Sequence, residues 1–410
     1  MKTITFLILG LISSFAFSQY CNIENRFTEL EYFNSDQIST VQDTTYAIAL
    51  NADGEMQSLE MDFYYPSDTI DTLDKRPFIL LIHGGAFYLG DKTHFSFECE
   101  EFAKRGFVCA TMEYRLGKAS DSGDEVIKRQ YRARQDAHAA FRWIVENANR
   151  FKIDTDAIFI GGLSAGSFIS HDLIYSEQSE WTFLFSDIVN ELGPHNTSGN
   201  DLTNNFEFQG FYNTCGGTLG FNIDNQEMLP TVAFHKEYDQ TVEIDQTEGL
   251  FPLYGSRKMH ELLEDNGICS QLTVDTNSYD GDMARHCPYT DWQEIISKVS
   301  KASCFFKNIL CETCDAGYSE ELIYANCSAT LSFDELAKSS IQIFPNPAED
   351  LVFIEGLSNK DHVTIVNVQG QVMNVTMVDN QIQTRNLPSG LYLITITNHF
   401  ETKSIPLIIK

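Results

Sequence analysis

Residues 157–170 read AIFIGGLSAGSFIS. Four apolar, β-prone residues, Ala157 to Ile160, run into Gly161-Gly162-Leu163-Ser164-Ala165-Gly166, and a helical pattern follows. The Gly162-x-Ser164-x-Gly166 pattern therefore lies where a strand turns sharply into a helix. So tight a turn strains the backbone of its central residue, and glycines on either side remove side chains that would collide with the neighbouring strand and helix. The pentapeptide alone arises by chance. In this setting it predicts a serine hydroxyl exposed at the carboxyl edge of a parallel sheet.

Working outward, short apolar runs alternate with helical patterns from about Leu59 to Lys307, the signature of a mostly parallel sheet with crossover helices on both faces. Phe78 to Ile82, Phe107 to Met112, Ala157 to Ile160, Thr231 to Phe234 and Leu272 to Asp275 read as its strands. Ala137, Ala140, Phe141, Ile144 and Ala148 recur at helical spacing and predict a long helix over Ile127 to Asn149, and Tyr289 to Phe306 reads as the closing helix. After Cys327 the cysteines stop and short alternating strands begin at Gln342–Phe344, Val352–Glu355, Val363–Val366 and Leu391–Ile396, which predicts a small all-β sandwich.

A serine hydroxyl needs a base within hydrogen-bond reach and a third group that orients the base. Chain order places both after the serine. Asp239, just past the strand that ends near His235, is the expected acid, with Glu237, Glu243 and Asp245 read as solvated charges. His286, in the loop Gly281 to Pro288 ahead of the closing helix, is the expected base; His260 falls within a helical stretch, and His235 ends a strand before the acid, so both read as packing or surface residues. Upstream, Ile82-His83-Gly84-Gly85-Ala86-Phe87 follows an apolar strand, where small residues let backbone N–H groups approach a developing oxyanion. Gly85, Ala86 and Ala165 are the expected donors, Phe87 and Leu163 the expected substrate contacts, and His83 a structural tie. The aromatic-rich Ile174 to Met228 is expected to form a cap or an acyl-pocket wall, with Phe206 to Tyr212 read equally well as part of the next core strand.

These residues, with Glu113-Tyr114-Arg115-Leu116 and Gln135-Asp136-Ala137, resemble the α/β-hydrolase carboxylesterases that carry an HGG oxyanion loop. The resemblance spans about Leu59 to Lys307 and implies the α/β-hydrolase fold and hydrolysis of carboxylic esters through an acyl-enzyme. Two positions depart from the pattern: Ala86 replaces a third oxyanion glycine, and Ser167 stands where a further glycine is frequent. The final module, with IFPNPAEDLVFI at 343–354, VTIVNVQGQV at 363–372 and NLPSGLYLITI at 386–396, resembles the type IX secretion sorting domain of Bacteroidota. That likeness implies export across the outer membrane, with residues 339–410 engaging the type IX machinery.

Composition agrees with export. With 28 Lys and Arg against 58 Asp and Glu, the net charge of −30 repels nucleic acid and anionic membranes. Lys2, a short apolar run and the small residues Ala16 and Ser18 read as a Sec signal at 1–18, too short for a membrane span, so no span is expected in the mature protein. The domain plan is then a catalytic domain at 19–313, a linker at 314–338 and the sorting domain at 339–410. All ten cysteines lie between Cys21 and Cys327, which in an exported chain argues for disulfides; Cys304, Cys311, Cys314 and Cys327 form the densest group and pair in one of three ways or bind zinc, disulfides being preferred. No metal or organic cofactor is expected, and Asp275 to Asp282 is a poor match to a calcium loop. Beside the esterase stand two other functions: peptide or amide hydrolysis, disfavoured because no gating domain precedes residue 59, and a surface binding or adhesion protein on an inactive hydrolase scaffold. The natural ester, whether polysaccharide-linked acetyl or feruloyl, lipid or polyester, is not legible in the sequence.

Overall fold

The computed structural model describes residues 18–119, 122–220, 228–248, 252–277 and 286–322, and residues 342–409 in discontinuous stretches. The expected signal at 1–18, but for Ser18, and most of the segment Asp275 to Asp282 lie outside the described residues. The chain divides into two units, residues 1–328 and 329–410.

Among its described residues the first unit has eleven strands: β1 Ile38–Leu50, β2 Met56–Pro66, β3 Arg76–Ile82, β4 Val108–Met112, β5 Ile153–Leu163, β6 Gly210–Thr214, β7 Thr218–Leu219, β8 Thr231–Lys236, β9 Leu253–Tyr254, β10 Ser270–Asp275 and β11 Gly317–Ser319. Nine of them form one sheet in the order β1-β2-β4-β3-β5-β6-β8-β10-β11, antiparallel across β1-β2-β4 and parallel from β4 to β11. Strands β7 and β9 pair separately. Every residue of β3 is buried. Phe78, Leu80 and Ile82 enter the apolar cluster on one face, and Ile79 and Leu81 the cluster on the other, as the two-residue period of a strand requires. Burial on both faces is why β3 reads as an unbroken apolar run.

The helices Gly123–Glu146, Ala165–Tyr175 and Ser256–Asp265 pack on the first face, and Ser96–Lys104 and Trp292–Leu310 on the second. The long helix starts earlier than its apolar period predicts. Ser122 caps it by accepting the N–H of Glu125, and Asp124 and Glu125 complement the positive end of its first turn. Arg115, in the loop after β4, makes a buried ion pair with Asp136 of that helix: its N–H and Nε donate to the carboxylate at 2.7 and 2.8 Å. Here the Glu113–Leu116 and Gln135–Ala137 stretches meet, and Gln135 adds its own bond from Nε2 to the Leu192 carbonyl at 2.8 Å.

Three features depart from the sequence reading. Strand β1 lies before the expected start of the fold, where its polar alternation suits an edge strand. Strand β11 lies within the expected linker, pairing with β10 through Gln271 and Gly317, so the linker does not begin at 314. Two members of the dense cysteine group pair outside it, Cys311 with Cys21 and Cys314 with Cys269, with Cα separations of 5.5 and 5.7 Å. Cys304 is also disulfide-bonded, while Cys99 and Cys109 are free thiols buried in the core, where cysteine behaves as a small apolar residue. Much of the aromatic segment packs on the long helix, while Phe183 is exposed. Trp181 and Val189 cover Tyr131 of the long helix, and Phe206 and Phe208 lie on Phe141.

The second unit is two four-stranded antiparallel sheets. Gln342–Phe344 pairs with Leu351–Glu355 in one, and His362–Asn367 with Gly390–Thr397 in the other. Val352, Ile354, Ile365, Ile394 and Leu407 fill its core.

Burial lowers the pKa of five histidines of the first unit, His260 among them. His83, His171 and His195 are each pushed down to about 4, and His138, stacked on His195 at 4.1 Å, lies well below its ordinary range. Burial works oppositely on Asp172, raised to about 6. Below about 6.5 the unfolded chain binds protons at the histidines that the folded chain refuses, whereas the pair of carboxyls that burial raises, Asp172 and Glu113, favours the folded state on acidification. The histidines outnumber them, so Tm should fall as the pH is lowered from 7 to 5 in differential scanning calorimetry. A constant or rising Tm would contradict this balance.

Candidate active site

Strand β3 is followed in the sheet by β4 on one side and, after a crossover, by β5 on the other. The carboxyl ends of β3 and β5 thus bound the crevice at a topological switch point, where open α/β sheets place their sites. Ile82 leads into the His83-Gly84-Gly85 loop from one side of this crevice, and Leu163 into Ser164 from the other.

Ser164 adopts φ 52° and ψ −120°, a conformation disfavoured for a residue bearing a side chain. Its N–H donates to the Thr214 carbonyl at the end of β6, 2.9 Å away. A methyl group on Gly162 would meet the Gly166 carbonyl carbon at 2.3 Å, and one on Gly166 would meet the Ile82 carbonyl oxygen at 1.9 Å. Both glycines are required by the close approach of strand, turn and helix.

The three residues far apart in the chain come together. His286 Nε2 lies 2.7 Å from Ser164 Oγ, and His286 Nδ1 lies 2.7 Å from Asp239 Oδ2. A carboxylate only accepts, so Nδ1 carries the proton and Nε2 is free to accept from the serine hydroxyl. Asp239 Oδ1 accepts the N–H groups of Thr241 and Val242 at 2.8 and 3.0 Å. Burial would raise the Asp239 carboxyl, but hydrogen bonds from His235, His286 and Val242 outweigh it and hold the group well below the usual carboxylate range. The rival acids are engaged elsewhere or exposed: Glu237 and Asp245 pair with Arg257, and Glu243 is solvated. His260 is buried, with Nδ1 2.8 Å from Ser270 Oγ.

The loop after β3 curls through three successive positive φ values, 113° at Gly85, 50° at Ala86 and 62° at Phe87. The Gly85 carbonyl accepts from the N–H groups of Tyr88 and Leu89, both at 3.0 Å. The N–H groups of Gly85, Ala86 and Ala165 donate to no backbone carbonyl among the described residues. Gly84 rests on the elbow: a methyl there would meet the Leu163 carbonyl oxygen at 2.9 Å and Ser164 Cβ at 3.2 Å. His83 is buried, stacked on Tyr114 at 4.3 Å, with Nδ1 2.7 Å from the Gly84 carbonyl oxygen. Phe87 packs into the core, and Leu163 is half-buried beside the elbow.

Sequence reading missed the disulfide between Cys215 and Cys287, whose Cα atoms are 4.9 Å apart. It joins the residue after Thr214, which holds the Ser164 N–H, to the residue after His286. The two sulfurs and a ring nitrogen of His286 lie within 4.8 Å of one another, and sulfurs already joined offer a metal no thiolate. The adjacency His286-Cys287 was the available signal; the partner is defined only by the sheet order.

Residues 61–199 match the BD-FAE family, an α/β-hydrolase-type esterase domain, and residues 342–410 match the secretion system C-terminal sorting domain. The second match makes the C-terminal unit an address for type IX secretion to the cell surface or beyond. Neuroligin-2 of Rattus norvegicus is 36% identical over 122 residues, 29% of this chain and 14% of that protein. Bile salt-activated lipase of Bos taurus is 29% identical over 139 residues, 32% of this chain and 22% of that protein. The chain thus spans less than a quarter of the length of either relative. Among solved structures, a propionate-bound thermophilic esterase of the Planctomycetes species Thermogutta terrifontis is similar with a TM-score of 0.46 and 17% identity, covering 66% of this chain and 93% of that one. No helix among the described residues is long and apolar enough to cross a membrane.

The disulfide ties the residue after His286 to the residue after Thr214, whose carbonyl takes the Ser164 N–H, and displacing a reacting group by about 1 Å costs on the order of a hundredfold in rate. A Cys215→Ala, Cys287→Ala double variant should keep its circular dichroism spectrum yet react with a fluorophosphonate at Ser164 roughly ten- to a hundredfold more slowly than the parent chain. Undiminished labelling would show that the bridge does not set the geometry.

Proposed function

We propose that this chain is an exported serine esterase that cleaves carboxylic esters through an acyl-enzyme. The observation that carries the proposal is the hydrogen-bonded series Ser164 Oγ, His286 and Asp239, with both links at 2.7 Å. Ser164 Oγ attacks the ester carbonyl carbon while its proton passes to His286 Nε2, and Asp239 supports the imidazolium so formed. The tetrahedral oxyanion is met by the N–H groups of Gly85, Ala86 and Ala165. Collapse of this species breaks the bond to the alcohol oxygen, which takes the proton from His286. Water then yields a proton to His286 and adds to the acyl-enzyme. Its collapse returns the proton to Ser164 and releases the carboxylic acid.

Leu163, half-buried beside the elbow, would line the acyl side, whereas Phe87 is packed in the core. The BD-FAE match over residues 61–199 supports an ester rather than an amide as substrate, since that stretch holds the elbow and the oxyanion loop together. The sorting unit is assigned to delivery, with its partner the type IX machinery.

Turnover of p-nitrophenyl acetate and butyrate by the parent chain and by Ser164→Ala tests the assignment. The substitution should lower kcat by at least about ten-thousandfold while leaving the fold intact. A folded parent chain that hydrolyses neither ester would instead favour a binding protein on an inactive scaffold. A panel of acetyl, feruloyl, lipid and polyester substrates, run with and without residues 339–410, identifies the natural ester class. Equal rates on the two chains confine catalysis to the first unit.

A further inference from the structure

Four buried polar side chains outside the triad form an unbroken hydrogen-bond series from the elbow helix to the back of Asp239. Ser167, three residues past the nucleophile, donates its hydroxyl to Asn213 Oδ1 on β6. The Gly216 N–H donates to that same oxygen at 3.1 Å. Asn213 Nδ2 donates to Ser256 Oγ at 3.1 Å, at the first residue of the Ser256–Asp265 helix. Ser256 Oγ lies 2.6 Å from Nδ1 of His235, the penultimate residue of β8. His235 Nε2 lies 2.9 Å from the Val242 carbonyl oxygen and 3.4 Å from Asp239 Oδ2.

One arrangement of protons satisfies the whole series. A carbonyl only accepts, so His235 Nε2 carries hydrogen, and the neutral ring accepts at Nδ1. Ser256 must then donate to His235 and accept from Asn213, whose amide oxygen is left for Ser167 and Gly216. All four side chains are at most 1% exposed, and none has an orphaned polar atom. Buried polar groups are costly unless fully paired, and apolar side chains would fill such a space without that requirement.

The series ends on the acid. Asp239 Oδ1 accepts from Thr241 and Val242, the Val242 carbonyl accepts from His235, and Oδ2 faces both His286 and His235. The turn bearing the carboxylate is therefore gripped from both sides. Among the other charged groups on these elements, Lys236 pairs with Asp275, and Arg257 with Glu237 and Asp245; Asp239 is the carboxylate facing the His235 ring.

We propose that His235 is a positioning residue for the ester hydrolysis inferred above: it holds Asp239 against His286, while Ser167, Asn213 and Ser256 lock it in the Nε2–H form. The role rests on the esterase reading, and the same histidine couples the elbow helix to the acid turn.

The experiment compares His235→Leu, which removes both ring nitrogens, with His235→Gln, whose amide nitrogen can replace the Nε2–H donor. With p-nitrophenyl acetate, His235→Leu should lower kcat roughly ten- to a hundredfold and change KM less than about twofold. The acid limb of kcat/KM should also move to lower pH, since a loosely held carboxylate favours an imidazolium less. The low-field proton resonance of the His286–Asp239 hydrogen bond should broaden or vanish. His235→Gln should recover most of all three. A folded His235→Leu chain with parental kcat, acid limb and resonance overturns the proposal, as does equal loss in both variants with the limb and resonance unmoved. If His235→Leu fails to fold, Ser256→Ala decides: a lowered kcat with a displaced limb supports the role, and parental values refute it. If the parent chain hydrolyses no ester, the esterase reading fails on its own, and the resonance still reports whether His235 holds Asp239.

Discussion

The structure turns on a strained backbone at Ser164. A side-chain-bearing residue at φ 52° costs on the order of 1–3 kcal/mol and persists only where its surroundings over-determine it. Here the surroundings are the ends of three adjacent strands. The Thr214 carbonyl at the end of β6 takes the Ser164 N–H, Gly162 at the end of β5 leaves room for the returning helix, and Gly166 presses that helix on the Ile82 carbonyl at the end of β3. Because Gly84 rests in turn on Leu163 and Ser164, the oxyanion loop and the elbow share one contact surface. Neither can shift without moving the other.

The parallel core was legible because its strands are buried on both faces. Phe78 to Ile82 and Ala157 to Ile160 are continuous apolar runs, which solvent-facing strands seldom show. Edge elements gave no such sign. Strand β1 alternates exposed and buried positions with two irregularities against β2, and β11 contributes only three residues. Chain order and position relative to strand ends are local properties of the sequence, and they singled out Ser164, Asp239 and His286, which lie within hydrogen-bond distance of one another in series.

What escaped the sequence depended on which strands are neighbours. Cys215 and Cys287 are separated by 72 positions, and their pairing follows from β6 ending beside the loop that carries His286. His235 read as a packing residue because it precedes the acid. Its connection to Ser167 through Asn213 and Ser256 exists only because β5, β6 and β8 are consecutive in the sheet and the Ser256–Asp265 helix begins above them. The departure at Ser167 thereby acquires a reason: a glycine there would leave Asn213 Oδ1 without its hydroxyl donor.

The Cys21–Cys311 bridge spans a sequence separation of 290, from the first described segment to the end of the Trp292–Leu310 helix. Cross-linking so long a loop raises the free energy of the disordered chain by up to about 5 kcal/mol in the chain-entropy description. The bridge lies wholly on the amino-terminal side of the sorting unit. Loss of that unit would therefore leave the ring from Cys21 to Cys311 closed, so the constraint it imposes does not depend on the address the chain carries.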